Sequence, residues 1–160
     1  MQFKAWEDVD APLDYTFQRF TDFAKFEDAA RDQGAEIRRV DNFVTPAEGV
    51  KWRGSVEVRG KTRGIEAELT RLADGEQVML EARIGGMEVH YQMDFDALTD
   101  AATRVSVLTE LKPRTLAARL IIQSAKLARG KIKQRIDGRL ARFGNEVEAD
   151  YQRIQSEAQS

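Results

Sequence analysis

The last third of the sequence carries an apolar stripe at the spacing of an α-helix. Its members follow one another at steps of three or four residues, and mostly charged or amide side chains fill the positions between them. This spacing places the whole stripe on one face of a helix, which must be buried against another layer of the protein. The stripe consists of Ile121, Ala125, Ala128, Ile132, Ile136, Leu140, Phe143, Val147, Tyr151 and Ile154.

This helix is too long for the domain that would have to cover it. Residues 114–156 as one helix would span roughly 65 Å, whereas a chain of 160 residues packs into a domain about 40 Å across. We therefore expect either a bend near Gly130, Gly138 or Gly144, or a projecting end that joins a second copy of the chain as a homodimer.

The layer that covers the stripe is a β-sheet, because upstream the apolar period changes to two. Alternating apolar and polar residues, separated by Gly- and Asp-containing turns, predict successive hairpins with one apolar and one polar face. The predicted strands are 2–9, 35–43, 50–59, 65–70, 78–84, 87–96 and 104–111. The sequence thus predicts a single α+β domain over residues 1–160, in which a curved antiparallel meander of about six or seven strands wraps around the long C-terminal helix.

Two short helices are predicted between the first two strands. Asp10 and Pro12 suit the start of the first helix. Thr21 and Asp22 can cap the second, over residues 23–32, and Gly34 can end it. The predicted inner faces carry Leu13, Phe17, Phe20, Phe23, Phe26 and Ala30.

This order of elements resembles the START-like (SRPBCC) superfamily, which includes the birch-pollen-allergen and polyketide cyclase/dehydrase families. The local match is Val9-Asp10-Ala11-Pro12, then Phe17, then Phe20-Thr21-Asp22-Phe23. The resemblance implies a helix-grip fold with a cavity between sheet and helix that binds lipids or other small hydrophobic molecules. It implies no catalytic residue. By resemblance, the ligand-binding wall comprises Trp52, Val56, Leu69, Leu80, Tyr91, Met93, Phe95, Val107, Thr109, Ile121, Ala125, Ala128 and Ile132.

Residues with catalytic chemistry are few. The sequence has no cysteine, so thiolate nucleophiles and cysteine-ligated metals are excluded, and no phosphate-binding glycine motif is present. His90 and the acids Glu66, Glu68 and Glu81 fall on the polar face of their strands, where an ordinary solvated surface explains them. We expect no metal and no cofactor. A ligand carrier or sensor is the first hypothesis. The alternatives are a cyclase, dehydratase or hydrolase type of enzyme, and a module whose basic C-terminal helix docks on a membrane or a partner.

Charge is unevenly distributed. Residues 112–142 hold ten Lys or Arg and one acid, whereas residues 1–111 carry a net charge of −8. The basic segment is either a solvated face balanced by the acidic sheet or a contact with anionic lipid headgroups, at about 1 kcal/mol per basic residue near the surface. Nucleic acid is disfavoured by the pI near 5.6 and by the lack of a binding motif. The first residues lack the basic and apolar regions of a signal peptide, so we expect a cytoplasmic protein.

Overall fold

Seven antiparallel strands form one sheet in the computed structural model, which describes residues 1–160. From edge to edge the strands lie in the order β1 (Gln2–Val9), β7 (Ala102–Pro113), β6 (Met87–Thr99), β5 (Gln77–Ile84), β4 (Lys61–Ala73), β3 (Lys51–Val58) and β2 (Glu36–Arg39). Strands β2 to β7 are a continuous meander, and β1 closes the order by pairing with β7. The predicted sheet is confirmed.

Four helices accompany this sheet. Between β1 and β2 lie α1 (Leu13–Phe20) and α2 (Phe23–Asp32), and after β7 come α3 (Leu116–Leu127) and α4 (Arg129–Ala158). The predicted ends of α2 are confirmed, because Asp22 stands at its N-cap and Gly34 follows its last residues with φ of 90°. The first helix begins later than predicted, since Pro12 and not Asp10 occupies its N-cap. None of the four helices combines the length and the apolar composition required to cross a bilayer.

The C-terminal helix is broken. Ala128 leaves helical geometry, with φ of −105° and ψ of 17°, and separates α3 from α4. The bend expected near Gly130 is therefore present, two residues earlier. It also changes the buried face: in α3 this face is Ala118 and Ile122, and the half-buried Ile121 of the predicted stripe lies beside it.

The core lies between the inner face of the sheet and the helices α1, α2 and α4. Leu69 and Met93 of the sheet and Val147 of α4 are among its fully buried side chains. Aromatic rings join the layers, since Phe17 packs edge-on against Phe95 with centroids 4.9 Å apart. Burial of side chains of this size typically contributes about 1.5–3 kcal/mol each.

The second strand is shorter than predicted. It covers four residues, Glu36–Arg39, instead of residues 35–43. The chain leaves the sheet at Asp41, whose carboxylate accepts hydrogen bonds from the backbone N–H groups of Phe43 at 2.9 Å and Lys51 at 3.0 Å. The hydrogen bond from the Arg39 guanidinium, at 3.1 Å, together with these two backbone bonds holds the pKa of Asp41 well below its usual range. A local side-chain turn thus replaces the end of the strand.

Candidate ligand-binding cavity

A cavity of about 460 Å³ lies between the inner face of the sheet and the helices. Strands β6 and β7 form its floor, and α1, α2 and α4 form its sides. Most of its lining is apolar, as in typical small-molecule sites. The lining residues are Arg19, Phe20, Asp22, Lys25, Phe26, Ala29, Tyr91, Met93, Val107, Thr109, Ile136, Arg139, Leu140 and Phe143.

The floor contains four residues named from the sequence, and they are direct neighbours in the sheet. Tyr91 pairs with Thr109, and Met93 pairs with Val107. Because successive residues of a strand point to opposite faces, residues 91 and 93 of β6 share one face with residues 107 and 109 of β7. Sequence alternation placed each pair on the apolar face of its strand, and the resemblance to the superfamily implied that this face borders the cavity.

The other nine named residues lie outside this lining. In the sheet, Trp52, Leu69 and Phe95 are buried in the core, and Val56 and Leu80 are half-buried beyond the cavity. On the helix side, the wall comes from Ile136, Arg139, Leu140 and Phe143 of α4. The helical residues expected in the wall precede those turns of α4: they are Ile121 and Ala125 of α3, Ala128 at the break, and Ile132 in the first turn of α4. The break at Ala128 determines which helical turns face the cavity floor.

Two hydroxyl groups stand side by side on the floor. Neither Tyr91 nor Thr109 makes a side-chain hydrogen bond within the protein, although both line the cavity. Burial raises the pKa of Tyr91 to about 12, so its hydroxyl stays protonated at neutral pH and can donate as well as accept. Both residues are half-buried, and the few polar groups on a mostly apolar cavity wall typically orient an occupant. This pair therefore offers hydrogen bonds to a polar group of an occupant.

Cationic side chains gather on the helical sides of the cavity. Arg19 forms an ion pair with Asp150 at 2.8 Å and donates to the Tyr15 hydroxyl at 2.9 Å. The Lys25 ammonium lies 5.7 Å from the centre of the Phe143 ring. Neither Lys25 nor Arg139 has a carboxylate within ion-pair distance.

The contribution of α1 and α2 was missed in the sequence. Phe26 was expected on the inner face of its helix, yet 41% of it is exposed, because it borders the cavity. Helical spacing indicated that this side chain faces the sheet side of α2, but spacing does not reveal whether a helix packs directly on the sheet or stands away from it.

The carboxylates and histidine considered for catalysis lie on the outer face of the sheet. His90 contacts Glu88 at 2.7 Å and Glu81 at 3.6 Å, and Lys51 and Arg53 face Glu68 and Glu66. None of His90, Glu66, Glu68 and Glu81 lines the cavity between sheet and helices. No group of three or more histidine, aspartate or glutamate side chains is arranged to hold a metal ion.

Three solved structures are similar in architecture to this chain. The aromatase/cyclase Zhui from Streptomyces sp. R1128 superposes with a TM-score of 0.64 at 13% identity, covering 92% of this chain and 93% of that one. A point mutant of norcoclaurine synthase from Thalictrum flavum, in complex with a transition state analogue, gives 0.63 at 10% identity over 97% and 96%. A START superfamily protein from Mycobacterium smegmatis gives 0.55 at 10% identity over 84% and 95%.

These likenesses establish the fold. The chain has a START-like, helix-grip α+β fold, with a seven-stranded antiparallel sheet and a long C-terminal helix. The resemblance noted in the sequence is thus confirmed at the level of fold. No protein-family model matches the sequence, and no curated protein sequence matches it either.

Proposed function

We propose that the protein binds a small hydrophobic molecule in the cavity between β6, β7 and the helices, as a carrier or sensor. The observation that carries this proposal is the cavity of about 460 Å³ with the unpaired Tyr91 and Thr109 hydroxyls on its floor. An apolar wall supplies affinity at roughly 25 cal/mol per Å² of buried ligand surface. The two hydroxyls would orient a carbonyl or hydroxyl group of the ligand.

The enzyme alternative has less support. It required acid–base groups inside the cavity, and the four side chains considered for that role lie on the outer face. Two of the similar structures are an aromatase/cyclase and a synthase. Their sequence identity to this chain, 13% and 10%, is too low for their reactions to be transferred to it.

Filling the cavity tests the proposal. Thr109→Phe would place a ring over the floor, so we expect it to abolish binding of N-phenyl-naphthylamine, a neutral apolar fluorophore whose emission rises on burial. Ser106→Phe is the matched control, because Ser106 lies on the same strand β7 but on the outer face. Equal fluorescence titrations for the wild type and a folded Thr109→Phe protein would refute binding at this site.

A second candidate function is contact with an anionic membrane through α3. Three leucines of this helix face solvent, with exposed fractions of 72% for Leu116, 56% for Leu120 and 92% for Leu127. Arg119 and Lys126 are exposed beside them, and residues 111–136 contain no acid. A short helix with exposed leucines and flanking bases suits the interface of an anionic bilayer.

Contacts within the protein limit which basic side chains of this region can bind lipid headgroups. Arg129 stacks on the Phe3 ring at 4.9 Å and donates to the Gln2 carbonyl at 2.7 Å, so it fastens α4 to β1. Lys133 is paired with Asp137. Arg119 and Lys126 remain the free cations beside the leucines.

Vesicle sedimentation tests the membrane candidate. We expect binding to phosphatidylglycerol vesicles, weakening with added salt because the charges are screened, and little binding to phosphatidylcholine vesicles. Leu120→Ser with Leu127→Ser should abolish it, whereas Leu98→Ser, at another exposed leucine, should not. Sedimentation that is insensitive to the α3 substitutions would exclude this surface as the membrane contact.

The homodimer through the long helix and the cytoplasmic location stay predictions.

A further inference from the structure

Two of the cations at the cavity have no carboxylate within ion-pair distance. Several cations on the outer face of the sheet are paired instead, as in Arg104–Asp8 at 2.8 Å and Lys112–Glu110 at 3.1 Å. Three cations line the cavity against one carboxylate. Arg19 is neutralised by Asp150, which leaves Lys25 and Arg139 as the unmatched cations.

The single carboxylate in the lining does not neutralise them. Asp22 stands at the N-cap of α2 and lies within ion-pair distance of neither cation. A negative side chain at this end of a helix is offset by the helix dipole. With the Arg19–Asp150 pair set aside, the two cations Lys25 and Arg139 and the one acid Asp22 give the lining a net charge of +1, next to residues that are otherwise mostly apolar.

Lys25 and Arg139 come from different elements on the two sides of the cavity. Lys25 extends from α2 over the Phe143 ring, and Arg139 lies one helical turn before Phe143 on α4. Arg139 and Phe143 also border an adjoining surface depression, which contains Arg142 and the acid Glu146. The apolar interior of the cavity and its cationic edge thus adjoin at the Phe143 ring.

We infer that the ligand is an anionic amphiphile, with its apolar body in the cavity and its carboxylate or phosphate head between Lys25 and Arg139. This inference rests on the proposed function. The head would form charge-assisted hydrogen bonds with an ammonium and a guanidinium. The Tyr91 and Thr109 hydroxyls would meet a polar group on the body of the molecule, if it has one.

A pair of ligands that differ only in the head tests the inference. Decanoate and decanol would each compete with N-phenyl-naphthylamine for the purified full chain. We expect decanoate to bind about tenfold more tightly than decanol at low salt, with the difference shrinking as salt is added. The double variant Lys25→Gln/Arg139→Gln should lose this preference and keep the wild-type affinity for decanol.

The control removes the same charge elsewhere on α4. Lys131→Gln/Arg135→Gln changes two exposed residues that do not line the cavity, and it should keep the full preference for decanoate. Equal wild-type affinities for the two ligands would overturn the anionic head and leave the cavity function standing. So would a preference lost equally in both double variants, since it would reflect overall charge. If neither ligand competes at all, the result would contradict the proposed function, and with it this inference.

Discussion

Among individual residues, the hydroxyl groups of two buried threonines and of two half-buried residues at the cavity have different roles. Thr16 and Thr103 are fully buried, and both donate to the Ala11 carbonyl, at 3.3 and 2.9 Å. They fix the turn between β1 and α1. Tyr91 and Thr109 face the cavity without a partner in the protein. Removing a satisfied hydroxyl should affect stability, whereas removing an unsatisfied one should affect binding.

Tyr91→Phe and Thr103→Val test this division. We expect Tyr91→Phe to leave the free energy of unfolding unchanged within about 0.5 kcal/mol, because no hydrogen bond is lost. Thr103→Val should lower it by about 1–2 kcal/mol through loss of a buried bond. Urea denaturation of both variants measures the difference. A loss for Tyr91→Phe as large as that for Thr103→Val would show that the tyrosine hydroxyl is a structural group.

Glu88 makes stability depend on pH. Hydrogen bonds from His90 and from Arg114, just before α3, lower the pKa of Glu88 from its usual 4.5 to about 2. A carboxyl with a lowered pKa stabilises the folded state above its ordinary pKa, and this contribution disappears as pH falls toward the folded value. We expect Glu88→Gln to lower Tm at pH 6 and to leave Tm nearly unchanged near pH 2. Thermal unfolding monitored by circular dichroism across this range provides the check, and a constant effect at all pH values would contradict it.

At the level of elements, α4 shows what a sequence period can and cannot predict. The stripe correctly indicated a long one-sided helix, and its length indicated a break. The break lies at Ala128, a good helix former, and not at Gly130 itself. Its place is set by tertiary contacts, since Arg129 is held on Phe3 and Gln2 of β1. Spacing along one helix contains no information on that contact.

Two glycines of α4 give opposite predictions. A side chain at Gly138 would meet nothing within 4 Å, so Gly138→Ala should stabilise the protein by about 1 kcal/mol through helix propensity. At Gly144 the new carbon would lie 3.3 Å from Val9, a core residue, and 3.2 Å from Glu7. We expect crowding to outweigh propensity, so that Gly144→Ala destabilises by about 1 kcal/mol. Calorimetric Tm values decide, and stabilisation by both would mean that α4 can shift away from β1.

For the whole molecule, alternation in the sequence predicted the sheet but not the space beneath it. A cavity wall and a filled core both give apolar residues at every second position of the sequence, as Tyr91 at the cavity and Leu69 in the core illustrate. Whether such a residue faces a void depends on how far α2 and α4 stand from the sheet. That distance depends on bulky side chains from separate elements, such as Phe20 and Phe143, whose rings pack 4.6 Å apart. Such packing is set by the tertiary arrangement and has no local sequence signal.

The most direct test of the account is a methionine-methyl NMR titration. The chain has four methionines. Met93 lies in the floor of the cavity, and Met79 lies on the outer face of the sheet. Addition of decanoate to saturation should shift or broaden the Met93 methyl signal and leave that of Met79 in place. A saturable response of Met79 with an unmoved Met93 would place the ligand on the other face and contradict the account.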